Sequence, residues 1–192
     1  FFNNKNKDKD RWGIIRTDLG IKVKDWRTKG DHILFLMQLP GDAAIANVDI
    51  LDWLKKSIIE CKKNSDRPIK VRMHPLISSY DLSTFEKFVE AQKNVTMVFG
   101  DKEPIDRDLE DCWATVSFTS GGSVDSIING IPVITPSNLN FVYPISSHSI
   151  DEIEKPKMMD RQQLLNDLAY TQWTTTEIAH GLPYKHLFNI DG

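Results

Sequence analysis

Hydrophobic and polar positions divide the chain into short apolar runs and longer amphipathic stretches. Five runs are dominated by apolar and β-branched residues, as in buried strands; they lie at 33–38, 69–73, 95–99, 113–118 and 131–135. Between them, apolar residues recur at helical spacing; these stretches lie at 48–63, 82–92 and 123–129, with a short acidic one at 104–111. Strands that alternate with helices predict βαβ units and a parallel sheet.

This pattern predicts an α/β fold with one Rossmann-like domain, in which a parallel sheet of about five strands is flanked by helices. We expect the domain to span residues 31–192, with C-terminal helices from about residue 160. One of these helices follows from the apolar face of 160–170, and another from the capping-box pattern at 174–177. Residues 1–30 are predicted to form an N-terminal tail or linker followed by an irregular strap.

Composition narrows the range of functions. The chain has 192 residues, of which 40% are hydrophobic, and a net charge of −3 gives no general attraction to nucleic acid. Cys61 and Cys112 form no C-x-x-C pair and no Cys/His cluster, so we expect no disulfide framework and no zinc site. No apolar run approaches the roughly 18 residues of a membrane span. We therefore expect a soluble protein of the reducing cytoplasm.

The turn at 120–123 carries the clearest candidate chemistry. Gly121 and Gly122 allow the backbone to approach a ligand closely, and the first N–H groups of the predicted helix point at the same place. Ser120 and Ser123 add hydroxyl donors. Such a helix start favours an anion, most often a phosphate. A purely structural turn, in which Ser123 caps the helix, explains the glycines equally well.

Three segments that directly follow predicted strands indicate where a ligand site would lie. These segments are Gln38-Leu39-Pro40, His74-Pro75 and Ser120-Gly121-Gly122. In an open parallel sheet, ligands bind beyond the carboxyl ends of the strands, so the fold brings the three segments to one edge. We therefore predict a nucleotide or phosphate site there.

The same segments resemble a known family. Gln38-Leu39-Pro40, Arg72-Met73-His74-Pro75 and 117–123 with 130–133, in that order, resemble the C-terminal, nucleotide-sugar-binding half of GT-B glycosyltransferases. The resemblance covers about residues 32–136 and is strongest to the capsular polysaccharide synthesis group that includes the Kdo transferases. Bacterial sialyltransferases share the His-Pro and serine motifs, and UDP-GlcNAc 2-epimerases share the Ser-Gly-Gly turn.

The resemblance implies roles for individual residues. Five residues would contact the donor phosphate, with a leaving-group contact as the alternative for the histidine: His74, Ser120, Gly121, Gly122 and Ser123. Four would support them: Gln38, Pro40, Arg72 and Pro75. Asp125 stands where related enzymes commonly carry a glutamate that holds ribose hydroxyls. Tyr143, in the loop after the last predicted strand, is a candidate for contact with the base or sugar.

The implied function is that of the donor-binding domain of a glycosyltransferase in polysaccharide or glycoconjugate synthesis, such as capsule biosynthesis. The donor would be a CMP- or UDP-linked sugar, with CMP favoured, and the transfer of hexosyl or Kdo/sialyl type. No cofactor or metal is expected, because Asp106-Arg107-Asp108 has the spacing of a metal motif but lies in a charged helical stretch predicted to be solvated.

A second domain is also implied. GT-B enzymes place the acceptor, and usually the catalytic base, on an N-terminal Rossmann-like domain, and the chain begins at Phe1 rather than at a methionine. We therefore assign the role of catalytic base to no residue of this segment and predict no particular acceptor. We do not expect this segment to be active alone. Two alternatives remain open: a non-catalytic Rossmann-like interaction module, and a fragment of a UDP-sugar epimerase-like enzyme.

Overall fold

The structure is a computed structural model that describes residues 4–45, 47–77, 80–100 and 104–188. Five strands occur where the apolar runs predict them: β1 His32–Leu36, β2 Ile69–Met73, β3 Val95–Phe99, β4 Cys112–Ser117 and β5 Val133–Ile134. The helices are α1 Asp10–Asp18, α2 Ile50–Asn64, α3 Ser83–Glu90, α4 Ile105–Leu109, α5 Gly122–Ile128, α6 Gln162–Ala169, α7 Thr175–Ala179 and α8 Leu182–Phe188. In the described parts of the chain, short 3₁₀ helices also lie at Ala43–Ile45, Tyr143–Ile145 and Ile150–Glu152.

All five strands are parallel, in the order β3-β2-β1-β4-β5. The chain first moves outward from β1 to β3 and then returns to the other side of β1 for β4 and β5. The order therefore reverses between β1 and β4, which is the topological switch point of a doubly wound sheet. The predicted α/β, Rossmann-like fold is confirmed.

The two faces of the sheet are buried by different helices. On one face, Phe35 packs in a large apolar core with Leu54 of α2 and Phe85 of α3. On the other, Leu34 and Leu36 of β1 pack with apolar residues that include Leu109 of α4. Because β1 is buried on both sides, its sequence is continuously apolar, which is why the prediction of this strand succeeded.

The chain divides into two compact units, 1–22 with 160–192 and 23–159, and only the second contains the sheet. This division differs from the predicted boundary after residue 30. In the first unit, the described residues 4–11 are held by side-chain contacts: Lys7 N donates to Asp167 and the Arg11 guanidinium pairs with Glu177. The predicted capping box is confirmed, because Thr174 and Glu177 cap α7 reciprocally.

Arg11 changes the pKa of its ion-pair partner in this unit, Glu177. Its guanidinium lies 4.0 Å from the centroid of the Trp173 ring and lowers the pKa of the Glu177 carboxyl to about 2 through a direct hydrogen bond.

Residues 1–3 of the predicted tail lie outside the described residues. Within the described parts of the chain, no helix is both long and apolar enough to cross a membrane.

Residues 23–30 form an irregular strap that runs along the C-terminal end of α5. Lys24 N donates to Ile128 O, and Arg27 N donates to Gly130 O. The Arg27 side chain donates to the carbonyls of Leu109 and Cys112. Gly130, where the sequence predicts a helix cap, has a φ of +74° and lies so close to the strap that a Cβ would be 2.0 Å from Asp25 O.

We expect Gly130→Ala to be strongly destabilising. A left-handed φ costs an L-residue about 1–2 kcal/mol, and overpacking against the strap adds about 1–3 kcal/mol. Gly41→Ala is the matched control, because Gly41 has a φ of +78° with no atom within 4 Å of its Cβ position. Urea denaturation should therefore show a clearly larger loss for Gly130→Ala, and equal losses would contradict the close contact.

Candidate functional site

The three segments predicted to form the ligand site follow β1, β2 and β4, whose carboxyl ends lie side by side at one edge of the sheet. Leu36 is in register with Arg72 on one side and with Ser117 on the other. Continued by two residues, this register sets Gln38 opposite both His74 and Thr119. Neighbouring strands lie about 4.8 Å apart, so the ends of β2 and β4 are separated by roughly 10 Å. The candidate site is therefore a short edge centred on the switch point.

Gln38 joins the two loops at the switch point. Its Oε1 accepts from Thr119 N at 2.8 Å, and its Nε2 donates to Thr119 Oγ1 at 2.7 Å. Both residues are buried. The Gln38 side chain therefore fixes the start of the loop after β4.

His74 directly follows β2 and is half-buried. Its Nδ1 accepts a hydrogen bond from Leu76 N at 3.1 Å. In the neutral ring the proton must then be on Nε2, which is consequently the nitrogen that can donate to a ligand. Pro75, at the surface, and Pro40, half-buried, lie in the turns after β2 and β1 respectively.

The backbone of 119–124 is less open to an anion than the sequence predicts. Ser120 N donates to Ser117 Oγ, Ser123 N to Ser120 O, and Val124 N to Gly121 O. Gly122 N has a long contact of 3.4 Å with Ser120 Oγ. In this segment of the described chain, Gly121 N–H alone has no acceptor. Since α5 has only seven residues, its dipole is not a strong argument either.

Two groups of this loop can therefore meet a ligand: the Gly121 N–H and the half-buried Ser120 hydroxyl. Gly121 is exposed, and a Cβ there would meet no atom within 4 Å. Gly122 differs, because its Cβ would lie 3.0 Å from Ile105 Cδ1 and 3.2 Å from Leu36 Cδ1. Gly121 faces open space, whereas Gly122 allows close packing inside the protein.

Ser123 is fully buried and bonded within the protein. Its Oγ lies 3.1 Å from Asn140 Nδ2, which also contacts Phe118 O at 3.2 Å. Asn140 is itself only 2% exposed. Sequence reasoning missed Asn140, because nothing in the pattern after β5 marks an amide that ties this loop to the loop after β4.

A buried ion pair underlies the His74 turn. Arg72, the penultimate residue of β2, pairs with Asp108 of α4, and both side chains are about nine-tenths buried. The expectation that the whole stretch 106–108 is a solvated face is therefore wrong for Asp108, although Asp106 is exposed. Burial of Asp108 is possible because Arg72 supplies the opposite charge.

Asp125 and Tyr143 lie in different settings. Asp125, in the first turn of α5, is exposed, yet partial desolvation by the surrounding protein and the nearby Asp106 carboxylate raise its pKa. Tyr143 begins a 3₁₀ helix after β5, and its ring stacks on His148 with centroids 3.8 Å apart.

Two cavities lie near opposite edges of the sheet. One of about 330 Å³, next to the His74 turn, is lined by residues that include Pro75, Tyr80 and Phe99. Another of about 670 Å³ lies at the amino-terminal edge, where Arg67 pairs with Glu154. Although larger, the second is remote from the strand ends at which open α/β sheets bind ligands, so we do not assign it to the site.

Neither metal nor thiol chemistry is indicated in the described parts of the chain. They hold no group of three or more His, Cys, Asp or Glu residues that could bind a metal ion. Cys61 and Cys112 are buried and unpaired. Burial raises the pKa of each thiol to about 12, which keeps both protonated at neutral pH.

The solved structures to which the chain is similar include the following two. One is KpsC of Thermosulfurimonas dismutans, a beta Kdo 2,4 transferase, with 13% identity and a TM-score of 0.48 over 84% of this chain and 56% of that one. The other is a variant of the wall teichoic acid polymerase TagF, with 16% identity and a TM-score of 0.38 over 97% of this chain and 50% of that one. No protein-family profile matches the chain, and no curated protein matches it.

The chain spans about half the length of each of these two structures.

Proposed function

We propose that this chain is the donor-binding domain of a GT-B-like glycosyltransferase and binds a CMP- or UDP-linked sugar at the carboxyl edge of its sheet. One observation carries the proposal: His74 Nε2 follows β2, and the Ser120 hydroxyl and the Gly121 N–H follow β4, so the three groups lie after the two strands that pair with β1. Each is a hydrogen-bond donor, as a phosphate requires. A phosphate with its two side-chain partners can bridge the roughly 10 Å between these strand ends.

The other proposed contacts follow from this placement. An ionised Asp125 can accept hydrogen bonds from ribose hydroxyls. Tyr143, in the segment after β5, would contact the base or the sugar. The acceptor glycan and a catalytic base would come from a second, N-terminal Rossmann-like domain. The assembled enzyme would act in the cytoplasm in polysaccharide or glycoconjugate synthesis, capsule synthesis included.

We expect His74→Ala and Ser120→Ala each to weaken nucleotide binding about tenfold to hundredfold. Loss of a hydrogen bond to a charged phosphate costs about 1.5–3 kcal/mol, which corresponds to that range. If both side chains contact one phosphate, the double variant should lose less than the sum of the two. Calorimetry with CMP, UDP and their sugar conjugates measures the affinities.

The matched control is His180→Ala, which removes an exposed histidine from the other compact unit. Among the described residues, the His74 side chain makes one hydrogen bond, a local one with Leu76 N, so its replacement should leave the thermal midpoint nearly unchanged. A lower midpoint with unaltered affinity would mean that His74 is structural. A folded protein that binds no nucleotide at millimolar concentration would instead favour the non-catalytic interaction module.

A further inference from the structure

A groove of about 370 Å³ lies between α2 and the segment 148–150, beside the end of β5. This volume is at the lower end of the range for small-molecule sites, roughly 300–1,000 Å³, and suits one sugar ring better than a whole nucleotide. The polar and aromatic residues that line it are Trp53, Lys56, Ser57, Glu60, His148 and Ser149. None of them belongs to the proposed phosphate contacts.

The lining combines an aromatic ring with hydrogen-bonding groups of both signs. Trp53 is half-buried, so its indole supplies an apolar surface, whereas Lys56 and Glu60 are exposed on the same helix. A pyranose has an apolar C–H face that can pack on an aromatic ring, and hydroxyls that both donate and accept. Lys56 pairs with Asp52 at 2.7 Å, and Glu60 pairs with Lys63 at 3.1 Å. A purely apolar ligand would desolvate both ion pairs, whereas sugar hydroxyls can hydrogen-bond to them.

His148 is held in one orientation. Its Nε2 is 2.9 Å from Tyr143 O, and its ring stacks on the Tyr143 ring at an interplanar angle of 2°. Because a carbonyl only accepts, Nε2 must carry the proton, and Nδ1 of the neutral ring is left as an acceptor. A hydroxyl donor is the complement of such a nitrogen.

The groove adjoins the proposed phosphate loop through Phe118. The Trp53 and Phe118 rings meet edge to face with centroids 5.3 Å apart. Thr135 Oγ1, next to the groove residue Pro136, donates to Phe118 O at 2.8 Å. Phe118 is separated from Ser120 by one residue. A ligand whose phosphate is at Ser120 and Gly121 can therefore extend toward the groove.

From this placement we infer that the groove between α2 and residues 148–150 binds the sugar ring of the nucleotide sugar. The inference rests on the proposed function for the location of the phosphate. Tyr143 then acts as a positioning residue that fixes the His148 ring. Glu60, Lys56 and Ser149 supply hydrogen bonds to sugar hydroxyls, and Trp53 supplies the apolar contact.

The test compares free nucleotides with their sugar conjugates in calorimetry: UDP with UDP-N-acetylglucosamine, and CMP with CMP-N-acetylneuraminate. Two groove variants are used, Glu60→Gln, which keeps the shape of the side chain, and Trp53→Phe, which keeps an aromatic contact with Phe118. Each should weaken binding of the sugar conjugate about three- to tenfold, as expected for one lost contact, and leave the free nucleotide unchanged. Glu90→Gln, an exposed substitution on α3, is the matched control and should change neither.

The outcomes separate this inference from the proposed function. If nucleotides bind but each groove variant changes the affinities for the conjugate and for the free nucleotide equally, the groove inference is overturned and the donor-binding proposal stands. If no nucleotide binds, the donor-binding proposal fails, and the groove is tested alone by titrating ¹⁵N-labelled protein with N-acetylglucosamine and N-acetylneuraminate. Shifts of the Trp53 indole N–H and of the amides of 148–150 would support a sugar site, and their absence would overturn it.

Discussion

Asp108→Ala is expected to destabilise the sheet-containing unit by about 3–5 kcal/mol, because it leaves the buried Arg72 guanidinium without its carboxylate. Arg72 Nη2 also lies 3.4 Å from Gly100 O, a distance that is too long to replace an ion pair. For a chain of this size, such a loss lowers the thermal midpoint by roughly 6–20 °C. Thermal and urea denaturation of the two proteins measure the effect.

Two further variants make this prediction specific. Asp106→Ala removes a carboxylate from the same short helix, but Asp106 is exposed, so the stability should change by no more than about 0.5 kcal/mol. Asp108→Asn keeps an acceptor for the guanidinium, so its stability should lie between those of the Asp106→Ala and Asp108→Ala proteins. An Asp108→Ala protein as stable as the Asp106→Ala protein would show that the buried pair contributes nothing.

Gly121→Ala is expected to weaken nucleotide binding about a hundredfold while leaving the fold intact. Gly121 has a φ of −59°, which alanine adopts without strain, and its Cβ position lies in open space. The substitution could even raise the stability by about 0.4–1 kcal/mol, because alanine has less freedom in the unfolded chain. A bound phosphate would occupy the same space as the added methyl, and would be pushed away from the Gly121 N–H and the Ser120 hydroxyl.

Gly122→Ala is the counterpart. Its methyl would press on the Ile105 and Leu36 side chains, so we expect a loss of stability of about 1–3 kcal/mol from overpacking. The two adjacent glycines should thus affect different measurements, with Gly121 mainly changing the affinity and Gly122 mainly the stability. Wild-type nucleotide affinity in Gly121→Ala would remove the loop after β4 from the proposed site.

The apolar runs predicted all five strands to within two residues. The signal is most continuous for β1 and β4, whose residues are all buried. Helix α1 was missed for the opposite reason. Its apolar residues do not lie along one face, so no period marks it. It belongs to a small unit in which Arg11 bonds to residues more than 150 positions away in sequence, and such contacts cannot be read from a local pattern.

The candidate site was predicted in outline but not in detail. The predicted parallel sheet places His74 and Ser120 at the same edge, because both residues follow strands that run in the same direction. The sequence did not reveal that most N–H groups of the loop are already bonded, or that Asn140 holds the loop. These features depend on side chains that meet only after the sheet has formed. The pairing of Tyr143 with His148 is of the same kind.

The most direct test is a titration of the ¹⁵N-labelled chain with CMP, UDP and their sugar conjugates, followed by amide and imidazole chemical shifts. If the donor binds at the switch point, the largest changes should occur at the backbone N–H groups of 119–122 and at the His74 ring. A nucleotide that shifts only residues of the other compact unit, or none at all in a folded sample, would contradict a donor site at the carboxyl edge of this sheet.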